Sequence, residues 1–145
     1  LFDASPLARH TLLFLEFIKK FSDDFHHAKE ETVLFEVLTR PGVLNHCNPI
    51  PQMLHEHDAG RALKKEWEDA FEARNLQDMA GAAIQFCELL TQHIYKEDNI
   101  LYPMAEEGVG EPERQEITKR YAQAEENHHG ADLWKRYEAE LAKLS

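Results

Sequence analysis

Residues 78–106 read DMAGAAIQFCELLTQHIYKEDNILYPMAE, and this stretch decides the fold. Met79, Ala83, Phe86, Leu90, His93, Glu97, Leu101 and Met104 recur at intervals of three and four, the period of one helix face. The face is apolar except for His93 and Glu97, which point into the core together. An unpartnered carboxylate in a dry core costs several kcal/mol or takes up a proton. A multivalent cation removes that cost and explains a glutamate standing among Leu90, Leu101 and Met104. A buried His–Glu hydrogen bond is the plainer alternative.

The helical period continues on both sides of this stretch. Ser5-Pro6 opens a segment from about Leu7 to Leu38, a capping serine followed by proline at the first helical position. It carries Phe14, Ile18, Phe21 and Phe25 at helical spacing, and Pro41-Gly42 stops it. Turn formers fill the stretch from Arg40 to Pro51. A second segment runs from about Pro51 to Ala73 with Trp67 and Phe71 inward, and Arg74-Asn75 ends it. After the third segment, Gly108-Val109-Gly110-Glu111-Pro112 breaks the chain, and a fourth segment reaches Leu144. Gly130 within it costs roughly 1 kcal/mol relative to alanine, so a kink or break is expected there. With short connections, successive helices run antiparallel. The expectation is one all-α domain over residues 1–145, an up-down four-helix bundle.

Composition narrows the function. The chain of 145 residues is 43% hydrophobic and 30% charged, as an ordinary globule is, and its formal net charge is −11. That surface repels phosphate backbones and anionic lipid, which argues against nucleic-acid and membrane-surface partners. No apolar run approaches the roughly 20 residues of a membrane span, and no signal peptide is visible. Cys47 and Cys87 make neither a disulfide framework nor a zinc knuckle, so a reducing cytoplasm is the expected setting. The sequence opens Leu1-Phe2-Asp3 without Met, which leaves a preceding segment open.

Four of the nine histidines, His26, His27, His93 and His128, have an acidic residue four places later. On the first helix two registers compete, His26 with Glu30 and His27 with Glu31. Adjacent residues point about 100° apart, so at most one register faces the bundle axis squarely. The other is expected to be a solvated pair of small energetic worth. On the second helix, His57 shares a row with Met53, Gly60, Lys64, Trp67 and Phe71, while His55 points elsewhere. Counted along the helices, His27 and Glu31, His57, and His93 and Glu97 fall within about two turns of one level. Histidines and glutamates converging without cysteine suit iron or manganese better than zinc, and carboxylates able to bridge favour a pair of metals.

These residues resemble those of the hemerythrin-like, or HHE cation-binding, domains, which are non-haem di-iron four-helix bundles. The matching strings are His26-His27-Ala28-Lys29-Glu30-Glu31-Thr32-Val33-Leu34-Phe35, then Glu56-His57-Asp58-Ala59-Gly60-Arg61, and His93-Ile94-Tyr95-Lys96-Glu97-Asp98-Asn99-Ile100-Leu101-Tyr102-Pro103-Met104. The resemblance implies terminal ligands at His27, His57 and His93, a bridging carboxylate at Glu31 and a second at Glu97. Asp98 is the alternative for the second carboxylate, and the apolar stripe favours Glu97. Met53 stands where oxygen-carrying hemerythrins have a further histidine, which would leave more open positions on that metal. The family's earlier helix, with its first histidine, has no counterpart. His10 is too far along the same helix to join the site, about 25 Å from His27. Either such a helix is missing here or the last segment takes its place. Tyr121, Glu125 and His128 are then candidates for a sixth ligand.

The expected function is a cytoplasmic non-haem di-iron protein that binds, senses or reacts with a small molecule: O2, peroxide or nitric oxide. Phe21, Phe25, Phe86 and Leu90 are expected to limit water access. An iron-storage or iron-sensing module without turnover is the alternative, and a metal-free helical interaction protein is the third reading. Whether the protein is an enzyme stays open at this point, as does a homo-oligomer.

Overall fold

The computed structural model describes Phe2 and residues 5–143; Leu144, the expected end of the last segment, lies outside them. The first helix covers residues 6–38. It is α-helical over Pro6–Phe17 and Phe35–Leu38 and more widely wound over Ile18–His27 and Glu30–Leu34. Ser5 caps it, accepting the Ala8 N–H at 3.1 Å, with proline in the first turn as the sequence predicts. The second helix is Ile50–Glu72, and its turn to the third places Arg74 at φ 57°. The third begins at Leu76, where the Asn75 side chain accepts from the N–H groups of Gln77 and Asp78. It is α-helical over Leu76–Lys96 and Tyr102–Gly108 and wide over Glu97–Leu101. The fourth comes in two pieces, Glu111–Asn127 and Gly130–Leu141. Among the described residues, no helix is long and apolar enough to cross a membrane.

The predicted break near Gly130 is present, but its seat is His129, which takes the left-handed conformation at φ 51°. Gly130 serves a different purpose. A Cβ there would lie 2.5 Å from Phe25 Cζ, so glycine lets the last helix approach the first.

The wide segments are closed by i→i−5 hydrogen bonds: Ala28 to Asp23, Phe35 to Glu30 and Tyr102 to Glu97. Such winding is rare in helices and gathers at functional sites. In the third helix it has a visible effect on register. An α-helix advances about 100° per residue, so a row at spacing four drifts off its face. The extra residue in the wide turn cancels the drift, and His93, Glu97, Leu101 and Ala105 are all buried. Ala105 therefore replaces Met104 on the inward face. At the other end of that helix Ala82 is buried in place of Ala83, and on the first helix Leu15 is buried where Phe14 was expected.

The buried side chains form three layers. At one end lie Leu15, Ile18, Trp67, Ala70, Met79, Ala82 and Phe86; at the other lie Leu34, Phe35, Leu38, Val43, Ile50, Met53, Leu101 and Ala105. Between the two apolar clusters stand the buried polar residues His27, Glu30, Glu56, His57, His93 and Glu97. Ile117 and Tyr121 of the fourth helix pack half-buried against the second of these clusters. Leu101 is fully buried there. Leu101→Ala is expected to cost about 2–5 kcal/mol, read as a lower urea midpoint at unchanged slope. Leu76→Ala, at a half-exposed position, should stay within about 0.5 kcal/mol.

Candidate metal centre

Five side chains from three helices meet in the middle layer. Donor atoms of Glu30, His57, His93 and Glu97 lie within 4.8 Å of one another, and so do those of His27, His57 and His93. The rings of His27 and His57 stack at 4.0 Å between centroids, and His93 stands edge-on to His57 at 4.9 Å. His57 is 1% exposed and Glu30 2%, so neither is open to bulk solvent.

Each histidine is held from behind by a carboxylate. His27 Nδ1 lies 3.1 Å from Asp23 Oδ1, His57 Nδ1 lies 2.8 Å from Glu31 Oε1, and His93 Nδ1 lies 2.9 Å from Glu56 Oε2. An ionised carboxylate only accepts, so each Nδ1 carries a proton, and each imidazole in its neutral form offers a lone pair at Nε2. Those lone pairs meet further acceptors. His93 Nε2 is 3.0 Å from Glu97 Oε1, and His57 Nε2 is 3.4 Å from Glu30 Oε2. All four of these buried atoms lack a hydrogen-bond partner. Acceptor facing acceptor in a dry layer is repulsive unless a proton or a cation stands between them. The donor set of imidazole nitrogens and carboxylate oxygens, oriented by outer carboxylates, fits a metal ion.

A second ring of charge supports the first. Arg61 donates to Glu31 Oε1 at 2.6 Å and lies 3.8 Å from Asp23, tying together the carboxylates behind His57 and His27. Lys96 and Gln52 both donate to Glu56. The Tyr102 hydroxyl donates to Glu30 Oε1 at 2.7 Å. These partners set the protonation states. Burial pushes the Glu30 carboxyl up, but the nearby His57 and His26 imidazoles and the Tyr102 hydroxyl outweigh it and hold it well below the usual carboxylate range. Burial likewise raises Glu56, and Lys96, Gln52 and His93 reverse the shift. His27 is pushed down, chiefly by burial. For His93 burial also works downward, yet Glu97 and Glu56 together raise it.

Of the expected site residues, His27, His57, His93 and Glu97 come together here. Glu31 does not join the cluster. It sits behind His57, and Glu30 takes the inner place. The two neighbouring glutamates thus stand at opposite edges of one imidazole, Glu31 hydrogen-bonded at Nδ1 and Glu30 3.4 Å from Nε2, and neither is the idle surface pair expected of the second register. Asp98 is exposed, in keeping with the choice of Glu97. Met53 is buried in the apolar cluster. Among the sixth-ligand candidates, His128 is exposed beside the Phe25 ring, and Glu125 pairs with Lys29 at 2.8 Å. Phe25 and Phe86 are buried, while Phe21 and Leu90 are only half so. Asp23, Glu56 and Tyr102 were missed. Glu56 carried one faint signal, a carboxylate beside His57 on a helix whose partner brings Lys96.

A family profile describing the hemerythrin HHE cation binding domain matches residues 1–105. The chain belongs to this family. No curated protein and no solved structure matches it. The hemerythrin HHE segment contains all five clustered residues, and helix Glu111–Asn127 lies beyond it. Cation binding is what this domain's description names, and the unpaired atoms of the middle layer supply the donors for it.

A metal must displace any proton from Nε2 of His93. Because Glu97 and Glu56 hold that proton above the ordinary histidine value of 6.5, affinity should still be rising as pH climbs past it. Competitive metal titrations over about pH 6 to 8 test this, and a flat profile would contradict it. Glu56→Gln should weaken metal binding about 10–100-fold while leaving helix content unchanged by circular dichroism.

Proposed function

We propose that the middle layer holds a non-haem di-iron centre that binds or reacts with a small molecule such as O2, peroxide or nitric oxide. The observation that carries this reading is the set of four buried, unpartnered donor atoms facing one another, with His27 adding a fifth donor residue. Nitrogen and oxygen donors without thiolate suit iron. Bound there, iron would supply redox chemistry with open positions, since five protein donors cannot saturate two ions.

The chain's own residues define the rest. Glu30 and Glu97 bring their carboxylates into one cluster with His57 and His93 and would be the oxygen ligands of the metal. Tyr102 fixes one oxygen of Glu30 and leaves the other free for metal. Asp23, Glu31 and Glu56 lock the three imidazoles in one tautomer, so each ring is oriented before metal arrives. Phe35 stacks beside His57 at 5.7 Å, and with Phe25 and Leu101 it limits water near the site. A cytoplasmic setting agrees with the free cysteines Cys47 and Cys87.

A sensor without turnover is the second reading, favoured by the position of the polar layer between two apolar clusters, where occupancy affects the packing of both. Loss of helix on chelation, followed by circular dichroism, would support it.

Purified protein should carry about two irons per chain by elemental analysis. Less than about one iron or manganese per chain would sink the proposal. Glu30→Gln and His57→Ala should lose most of the metal. Glu31→Gln should retain the stoichiometry with affinity lowered about 10–100-fold, since it removes only the group behind His57. Equal loss in Glu30→Gln and Glu31→Gln would contradict the assignment of Glu30 as the inner carboxylate. Optical spectra under O2, peroxide and nitric oxide would then identify the ligand.

A further inference from the structure

The last helical piece, Gly130–Leu141, lies along the first helix and leaves a cavity of about 420 Å³ between them. Glycine at 130 permits this approach, since a Cβ there would lie 2.5 Å from Phe25 Cζ and 2.9 Å from Glu125 Oε2. The ring of Phe21 has Phe25 at 5.8 Å and Trp134 at 5.5 Å between centroids, both inclined to it. These three rings make an aromatic wall. Small-molecule sites hold roughly 300–1,000 Å³ and combine such rings with a few polar groups. The cavity meets both conditions.

Three observations point to an occupant and to its chemistry. Trp134 lines the cavity yet is 59% exposed, a large ring that a stacked partner would cover. The second observation is charge. The chain carries a formal −11, but here Lys29 and Lys135 meet a single carboxylate, Glu125. Lys29 is matched, pairing with Glu125 at 2.8 Å above the Phe25 ring. Lys135 has no ion-pair partner among the described residues, so one positive charge is left over. The larger cleft between the second and third helices, lined by Glu66, Asp69 and Asp78, has the opposite sign. The third observation is place. His26 also lines the cavity, and its Nε2 is 3.8 Å from Oε2 of Glu30, a buried atom without a hydrogen-bond partner. An occupant of the cavity therefore lies one imidazole away from the middle layer.

We propose that this cavity binds a small planar aromatic anion, its ring against Trp134 and Phe21 and its charge on Lys135. Stacking on the exposed indole removes apolar surface of both partners from water, and the unmatched lysine selects the sign. A cationic analogue of the same ring keeps the stacking and loses the ion pair. The cavity uses none of the five clustered residues, so the inference does not rest on the di-iron reading. Trp134 and Lys135 lie beyond the segment matched by the family profile.

The probe is 1-naphthalenesulfonate, whose sulfonate is a poor ligand for iron and so does not report on the metal layer. Equilibrium dialysis should show about one probe bound per chain, and 1-naphthylmethylammonium should bind at least about tenfold more weakly. In Trp67→Phe, which leaves Trp134 as the remaining tryptophan, emission should change along the same isotherm. Trp134→Ala and Lys135→Glu, both at exposed positions, should each weaken binding about tenfold with helix content unchanged. Lys65→Glu alters the net charge equally on the second helix and should leave the affinity as it was. Equal affinity for the two probes, or no saturable uptake by about 1 mM, overturns the proposal. Equal losses in Lys65→Glu and Lys135→Glu overturn it too, since they show attraction to no particular place. Binding that survives both cavity variants does the same, and should one of the two not fold, the other decides.

Discussion

The arrangement of the molecule follows from one constraint: buried acceptor atoms face buried acceptor atoms in the layer between the two apolar clusters. The lone pairs of His57 and His93 look toward carboxylate oxygens at 3.4 and 3.0 Å. Groups of this kind are tolerable in a dry interior only with a counter-charge, and stripping one partner from such a set costs about 3–5 kcal/mol. The surrounding polar residues answer that constraint in order. Asp23, Glu31 and Glu56 fix the imidazole protons, and Arg61, Lys96 and Gln52 then satisfy those outer carboxylates. The outermost charges reach solvent, where their hydration is retained.

Much of this was legible in the sequence because helical period and helix punctuation are local. Ser5-Pro6, Pro41-Gly42 and Arg74-Asn75 mark real ends, and the row through His93 and Glu97 is buried as the period demands. The common level of His27, His57 and His93 followed from counting residues along antiparallel rods. Two kinds of information were not local. The wide turn at Glu97–Leu101 inserts a residue without adding a turn, and only the backbone reveals that Ala105 and not Met104 lies inward. The division of labour between Glu30 and Glu31 depends on where the His57 ring falls, and that ring belongs to another helix. Periodicity treated the two as competitors, whereas the imidazole has two nitrogens and one glutamate stands at each.

The fourth helix shows the limit from the other side. Ile117, Tyr121, Ala124 and His128 follow one another at helical spacing, a row that in an unbroken helix would carry His128 inward with Ile117. The break at His129 and the close approach at Gly130 turn it outward against Phe25. With few apolar residues to bury, this helix relies on ion pairs with the first helix and with Arg40 just after it, a mode of attachment weakened by salt where the charges are exposed. The rest of the bundle depends on apolar packing, most of all between the second and third helices.

The three-layer stacking also governs how the chain comes apart. Apolar contact does not run continuously from one end of the bundle to the other; it stops on both sides of the histidines. Each end can therefore open with its own free energy, as a separate cooperative unit, to the extent that the layer between transmits no attraction. A cation bound across three helices would couple those units, so that amide hydrogens far from any ligand exchange together. Occupancy of that layer then sets whether the molecule unfolds as one body or as two.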